Sequence, residues 1–279
     1  HSNLGTVLQE IGRIDEALIH YHKAIDIKPN HAAAHSNLGV ALQELGRAGE
    51  AFTSHRHAVA LNPQSGVFWF GLAGSLEGIS FTSVDDTLLQ DLLNLLAQPT
   101  VRPSQVTRPI ISALRCHSEF SQLLKLVGSE KPEIGFAYGD VAEQLSKIPI
   151  FLRIMELSPI NDLEIERVLT FLRRAMLQET MAGKTDERSL PFASALALHC
   201  FVNEYIFQET KEETSAVEQL QQQITTLVEK ERDIPSSLVA TLGAFRPLYD
   251  FPWAQELCEG DWSENIKEVI ARQISEPQE

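Results

Sequence analysis

Cysteine is scarce in this sequence, and its three cysteines stand far apart. Cys116, Cys200 and Cys258 form no CxxC pair, so nothing indicates a disulfide framework or a zinc ribbon. The histidines add no metal-ligand pattern, since no HExxH occurs and no His/Cys cluster has ligand spacing. We therefore expect reduced thiols, no bound metal and a cytoplasmic location.

Positive charge is also in short supply. Lysine and arginine number 23 against 38 aspartates and glutamates, which gives a formal net charge of −15. Residues 1–78 hold 5 basic and 7 acidic residues, and residues 79–279 hold 18 and 31, so most of the excess lies in the second part. Because an acidic surface repels phosphate backbones, nucleic acid is not an expected partner, whereas a basic protein or peptide is permitted.

Long apolar runs and glycine-rich cofactor loops are missing as well. The longest strongly apolar stretch without a formal charge, Ser189–Asn203, is shorter than the roughly 20 residues that span a bilayer. No GxSxG occurs, and Gly71, Gly74 and Gly78 follow no strand and precede no Lys-Ser/Thr pair. These absences predict no membrane span, no cofactor and no catalytic machinery in this chain. An upstream targeting signal stays open, because the sequence begins at His1 inside a repeat.

The strongest positive signal is a repeat of 34 residues. His1–Gly5 returns as His35–Gly39, Pro29 returns as Pro63, and 14 of the 34 positions are identical without a gap. A repeat of this length, with a proline at the same position in each unit, resembles the tetratricopeptide repeat, a helix–turn–helix unit. The resemblance implies a helical superhelix that exposes the first helix of each unit on a concave face.

The recurrence of each residue type has a structural explanation in a helix–turn–helix unit. An apolar stripe at i, i+3, i+4 and i+7 lines one face of the first helix: Leu4, Val7, Leu8 and Ile11. Small residues stand where helices must approach closely or turn: Gly5, Gly12, Ala17 and Ala24, with Gly39, Gly46, Ala51 and Ala58 in the next unit. A third unit starts at Trp69 and then diverges, since Asp85 stands where alanine is expected.

Beyond residue 78 the helical period continues without the repeat. Asp162 is expected to cap an amphipathic helix, Leu190–Phe207 to form a buried helix, and Glu212–Arg232 to form an exposed one. Strand-like alternation is absent from the sequence. The predicted fold class is all-α, with tetratricopeptide repeats over 1–78 (two regular units and a diverged third) and an all-helical domain over 79–279.

A polar row on the predicted concave face is the first candidate site. Its members are Asn3, Thr6, Gln9, Glu10, Asn37, Gln43 and Glu44. Stacked asparagines can hold an extended peptide by its main chain, because each amide offers two donors and an acceptor. The repeats are similar to those that precede O-linked N-acetylglucosamine transferases, and this resemblance implies a peptide-binding ladder of Asn3 and Asn37, broken at Gly71. The alternative is that these side chains are solvated or fix neighbouring helices.

A second candidate lies in the predicted buried helix. His199 and Asn203 are four residues apart and share a face, whereas the adjacent Cys200 does not, which disfavours a Cys–His nucleophilic pair. We expect His199, Asn203 and Glu204 to form a polar network in the core. The alternative is that residues 79–279 are an enzyme with a dispersed site around these three residues.

Two adjacent arginines, Arg173 and Arg174, form a third candidate. They could receive an acidic ligand. Because Glu164 and Glu166 stand nearby, an ordinary mixed-charge helix surface is the expectation.

Short strings in the second half support a broader resemblance. They are Ser80–Asp86, Leu190–Phe192, His199–Tyr205 and Gln273–Glu279. These strings look like bacterial proteins in which tetratricopeptide repeats precede a methyltransferase-regulatory helical domain and an S-adenosylmethionine-dependent methyltransferase. The resemblance implies a downstream methyltransferase domain that begins after Glu279, because the GxGxG cofactor loop is missing here.

The sequence therefore predicts a non-catalytic protein- or peptide-interaction scaffold without a cofactor of its own. By resemblance, it is the N-terminal targeting and regulatory part of a methyltransferase whose catalytic domain is absent from this chain. Two alternatives stay open: an enzyme within residues 79–279, and a structural module for self-association.

Overall fold

The computed structural model describes residues 1–128, 137–184 and 186–275, and the regular structure within these ranges is helical, with no strand. The all-α prediction is therefore confirmed. Contacts between backbone positions divide the chain into two compact units, His1–Cys116 and His117–Glu279.

The first unit holds seven α-helices among the described residues. They are α1 Ser2–Glu10, α2 Ile14–Ile27, α3 Ala32–Glu44, α4 Ala48–Leu61, α5 Gly66–Ser75, α6 Asp86–Leu96 and α7 Pro103–Cys116. Helices α1 to α4 form two hairpins related by the 34-residue period, and α5 begins a third. Gly12 and Gly46 turn the chain between the helices of each hairpin with φ values of +78° and +72°, which a side chain would disfavour.

The predicted small residues lie where the helices of a hairpin touch. Ala17 and Ala51 are fully buried. A Cβ atom on Gly5 would lie 2.7 Å from Cε1 of Tyr21, and one on Gly39 would lie 2.6 Å from Nε2 of His55. Glycine is therefore required at these two positions because an aromatic ring from the second helix packs against the backbone of the first.

The apolar stripe predicted on the first helix is only partly buried. Leu8 lies in the core, whereas Leu4, Val7 and Ile11 are exposed. Helix periodicity places these residues on one face, but burial also needs a neighbouring helix. Among the described residues, α2 packs on the matching face of α3, and no helix packs on this face of α1.

Helices α6 and α7 belong to the first unit. Arg56 of α4 forms an ion pair with Asp91 of α6, and the ring of Phe52 packs edge-on against that of Phe81, with centroids 5.7 Å apart. The backbone N–H of Phe81 donates to Oγ of Ser112 in α7 at 2.7 Å. The contacts therefore place the boundary after Cys116, while the end of the repeats at residue 78 stays a prediction about repeat content.

The second unit holds nine α-helices among the described residues. They are α8 Ser118–Gly128, α9 Tyr138–Ser146, α10 Pro149–Leu157, α11 Leu163–Met181, α12 Leu190–Val202, α13 Lys211–Glu229, α14 Ser236–Gly243, α15 Ala254–Leu257 and α16 Glu264–Ile270. Helix α12 is central and contacts α9, α10, α11, α14 and α16. The final four residues of the string at 273–279, on which part of the methyltransferase resemblance rests, lie outside the described residues.

Two helix ends in this unit test the sequence predictions. Asp162 caps α11 as predicted, since its carboxylate accepts from the N–H groups of Glu164 and Ile165 at 3.2 Å. The buried helix predicted to reach Phe207 ends at Val202 instead. Glu204 and Tyr205 have positive φ values of 52° and 54°, and this left-handed turn stops the helix.

Candidate functional site

The polar row predicted from the sequence is assembled by the side-by-side packing of α1 and α3. Asn37 Nδ2 donates to Thr6 Oγ1 at 3.4 Å, and Gln9 Nε2 donates to Glu44 Oε1 at 2.7 Å. Each pair joins a residue of one repeat to a residue of the next. The superhelix therefore places four of the seven predicted side chains in direct contact.

Tyr21 of α2 contacts two side chains of this row, and no sequence pattern identified it. Its hydroxyl donates to Gln9 Oε1 at 2.8 Å and also lies 3.5 Å from Thr6 Oγ1. Burial raises the pKa of Tyr21, and the carboxylates of Glu44 and Glu10 raise it further. The phenol is thus held as a neutral hydrogen-bond donor that orients the amide of Gln9.

His55 occupies the matching place in the second repeat. Its ring is fully buried, and Nε2–H donates to Gln43 Oε1 at 3.3 Å, as Tyr21 does to Gln9. Burial lowers the pKa of His55 to about 4. Within the described residues Nδ1 has no hydrogen-bond partner.

The break in the asparagine ladder has a steric cause. A Cβ atom on Gly71 would lie 2.6 Å from Cε1 of His55, closer than packed atoms approach. The ring of His55 thus fills the space that an asparagine at position 71 would need. The predicted ladder is limited to two asparagines: Asn3 is exposed on α1, and Asn37 is half-buried beside Thr6.

The row is acidic at one end. Glu10 and Glu44 are the last residues of α1 and α3, and Glu77 follows α5 by two residues. Helices α1, α3 and α5 contain neither lysine nor arginine. Carboxylates at the C-terminal end of a helix are disfavoured by the helix dipole, so this placement costs stability and produces a negative potential along the row.

Comparison with known families agrees with this architecture. Residues 5–46, from α1 to the turn after α3, match the model of the family described as TPR repeat. Residues 5–46 of the first unit are therefore similar to tetratricopeptide repeats. The TPR match does not reach the second unit, whose resemblance to a methyltransferase-regulatory domain stays a prediction. No curated protein matches the chain.

In the second unit, two of the three predicted network residues are brought together. His199 Nδ1 lies 3.2 Å from the carbonyl oxygen of Met155, which can only accept, so Nδ1 carries the proton. His199 Nε2 then accepts from Asn203 Nδ2 at 2.8 Å. Burial lowers the pKa of His199 to about 4, while Glu204 is exposed outside this network.

These contacts do not favour a catalytic role for His199. Both ring nitrogens of His199 are bonded within the protein, and its side chain is buried. Burial raises the pKa of the neighbouring Cys200 to about 12, so the thiol stays protonated. The arrangement ties α12 to α10 and is suited to a structural role.

The mixed-charge surface that the sequence suggested for the arginine pair holds for Arg174 and is wrong for Arg173. Arg173 is fully buried, and its guanidinium carbon lies 4.3 Å from the ring centre of Phe245 and 5.0 Å from that of Phe207. Arg174 forms an ion pair with Glu213 at 3.0 Å. Arg173 stands four residues after the buried Leu169, so both residues lie on the same face of α11. This position on the helix indicates that Arg173 is buried, although its charge suggests an exposed side chain.

Within the described part of the chain, no group of three metal-ligating side chains occurs, and no helix is long and apolar enough to cross a membrane.

Proposed function

We propose that the TPR units hold an extended peptide segment of a protein partner along the row of α1 and α3. The observation that carries this proposal is the pair of contacts Thr6–Asn37 and Gln9–Glu44, which makes one continuous polar surface from two repeats. Tetratricopeptide repeats are protein-interaction scaffolds in general, and the partner class proposed here is the finer step.

The chemistry of the row favours a basic peptide in extended conformation. Asn37 uses one of its two N–H groups on Thr6, which leaves its amide oxygen and the other N–H for a peptide main chain. Glu10 and Glu44 would attract a lysine or arginine side chain at one end. Peptides of this kind would be bound through their main chain and selected by charge.

A titration with two peptide libraries tests the proposal. The probes are fluorescent dodecapeptides of mixed sequence with lysine fixed at two central positions, and a matched library with glutamate there. We expect the lysine library to bind more tightly, because the row carries carboxylates and α1, α3 and α5 hold no lysine or arginine. Equal binding of both libraries would contradict the selection by charge.

Variants then locate the binding surface. Asn3→Ala with Asn37→Ala should weaken binding of the lysine library by about 1–3 kcal/mol, the scale of lost hydrogen bonds to a bound peptide. Asn30→Ala is the matched control, since Asn30 is exposed in the turn after α2 and lies outside the row. A double variant that folds and binds as tightly as the control would rule out the asparagine ladder.

We further propose, from the resemblance of the short strings alone, that residues 79–279 position or regulate a methyltransferase domain that lies outside this chain. In this proposal the chain is a cytoplasmic adaptor that binds neither S-adenosylmethionine nor nucleic acid. Calorimetry with S-adenosylmethionine should show no binding to this chain, and binding would favour an enzyme within residues 79–279 instead.

Sequencing the source DNA beyond codon 279 should find an open reading frame that encodes a predicted strand, a GxGxG loop and a predicted helix. A stop codon there would contradict the proposal.

A further inference from the structure

The junction between α3 and α5 differs in chemistry from the junction between α1 and α3. The hydrogen bond between Thr6 and Asn37 joins α1 to α3. The residues 34 positions later are Val40 and Gly71, which cannot form a side-chain hydrogen bond. The polar row therefore gives way to an apolar side chain and a bare backbone position where the third unit begins.

Exposed apolar side chains and bare glycines form a notch at this junction. The notch consists of Val40 of α3 with Phe70, Gly71 and Gly74 of α5. Val40 and Phe70 have exposed fractions of 39% and 64%, and Phe70 stands one turn before Gly74 on the same helix face. A Cβ atom on Gly74 would lie 3.4 Å from Nε2 of Gln43, so the notch is continuous with the row.

The floor of the notch is uncharged near neutral pH. Gly71 packs on the buried ring of His55, since a Cβ atom there would lie 2.7 Å from Nδ1 of the ring. This nitrogen has no hydrogen-bond partner within the described residues, and burial lowers the pKa of His55 to about 4. Helix α5 itself contains no lysine, arginine, aspartate or glutamate. An apolar side chain is therefore favoured in the notch over a charged one.

We propose that the notch binds an apolar side chain of the same extended peptide that lies along the row, an inference that rests on the proposed function. Val40 and Glu44 are four residues apart on α3, which is about 6 Å along the helix axis. Residues i and i+2 of an extended peptide point to the same side and are roughly 7 Å apart. The partner segment therefore carries a basic residue for Glu44 and, two positions away, an apolar residue for the notch.

Two further peptide libraries test the notch with the full chain. One is the lysine library with leucine fixed two residues before and two residues after the lysine pair, and the other has serine at these places. We expect the leucine library to bind about tenfold more tightly, because leucine buries its side chain against Val40 and Phe70. Equal binding of both, with the preference for lysine over glutamate retained, would overturn the notch and leave the proposed function standing. Absence of binding by every library would contradict both.

A double variant assigns the preference for leucine to the notch. Val40→Thr with Phe70→Ser introduces the residues that α1 has at these places, Thr6 and Ser2, so we expect the helices to fold as before. The preference for leucine over serine should fall below about twofold, while the preference for lysine over glutamate stays. Ile27→Ser is the matched control, since Ile27 is 73% exposed at the end of α2, outside the row, and should change neither preference.

Two results with the variants would also overturn the proposal. One is a preference for leucine that survives in the double variant, which would mean that leucine is bound at another place. The other is a dimer of the natural chain in sedimentation that the double variant dissociates, which would show that a second copy covers the notch.

Discussion

Position 71 decides how far the asparagine ladder can extend. Gly71→Ala should lower the free energy of unfolding of the first unit by about 1–3 kcal/mol, because the added Cβ meets the buried ring of His55 at 2.6 Å. Urea denaturation followed by circular dichroism measures this change. An asparagine at this position should be at least as costly, so the ladder cannot be lengthened by this substitution alone.

Gly74 offers the control for that experiment, since it lies on the same helix and is exposed. A Cβ there would meet nothing closer than 3.4 Å, the distance to Nε2 of Gln43. Gly74→Ala should therefore be neutral or stabilise the chain by up to about 1 kcal/mol, the gain in helix propensity. Equal losses at both positions would show that His55 is not the obstacle.

Two buried histidines, one in each unit, predict the dependence of stability on pH. Burial lowers the pKa of both His55 and His199 from 6.5 to about 4. As the pH falls below 6.5 the unfolded chain takes up these protons before the folded chain does. The free energy of unfolding should therefore fall between about pH 6.5 and pH 4, by up to about 3 kcal/mol for each histidine, with no further loss from them below pH 4.

Variants assign this decline to its residues. His55→Gln should reduce the slope of stability against pH for the first unit, whereas His22→Gln, at an exposed position of α2, should leave the slope unchanged. Denaturation midpoints measured at several pH values provide the comparison. A slope that is the same in all three proteins would show that His55 is not the source.

At the scale of single residues, the sequence predicted which side chains face the row but not what lies beneath it. Positions 9 and 43 are both glutamine, and the repeat made them visible. Tyr21 and His55 occupy equivalent positions in the two repeats, and each contacts a glutamine of the row. Because the two residues are of different types, a count of identical residues between the repeats does not identify them. Arg173 was missed for a related reason, because a charged side chain suggests solvent until the aromatic rings on either side of it are known.

At the scale of helices, periodicity predicted the faces and local chemistry predicted several ends. It could not predict coverage: the same stripe is open on α1 and buried on α3, because burial is a property of the neighbouring helix. The early end of α12 also escaped, since the left-handed turn at Glu204 and Tyr205 uses residues that seldom adopt it.

The cap of α11 provides a test at this scale. Asp162→Ala should lower the free energy of unfolding of the second unit by about 1 kcal/mol, because the N–H groups of Glu164 and Ile165 lose their acceptor. Asp162→Asn keeps an oxygen acceptor and should retain most of the stability. A similar loss in both variants would show that the charge at the helix start matters more than the hydrogen bonds.

At the scale of the whole molecule, the repeat pattern and the packing give different boundaries. The 34-residue pattern fades after residue 78, whereas the contacts join α6 and α7 to the repeats. Asp85 shows why: it breaks the repeat pattern and at the same time caps α6, accepting from the N–H of Leu88 at 2.7 Å. The repeat pattern ends where the residues of successive units are no longer identical. The folding unit extends further, to the last helix that packs on the repeats.

Two fragments can decide which boundary describes the folding unit. Fragment 1–116 should unfold cooperatively, and fragment 1–78 should have a lower midpoint in urea, because it lacks Phe81 against Phe52 and Asp91 against Arg56. Trp69 is the single tryptophan in both fragments, and its buried indole donates to the carbonyl oxygen of Pro63 at 2.8 Å, so its fluorescence reports on the same site in each. Equal midpoints would mean that α6 and α7 add nothing to the stability of the repeats, and the boundary at residue 78 would then be the physical one.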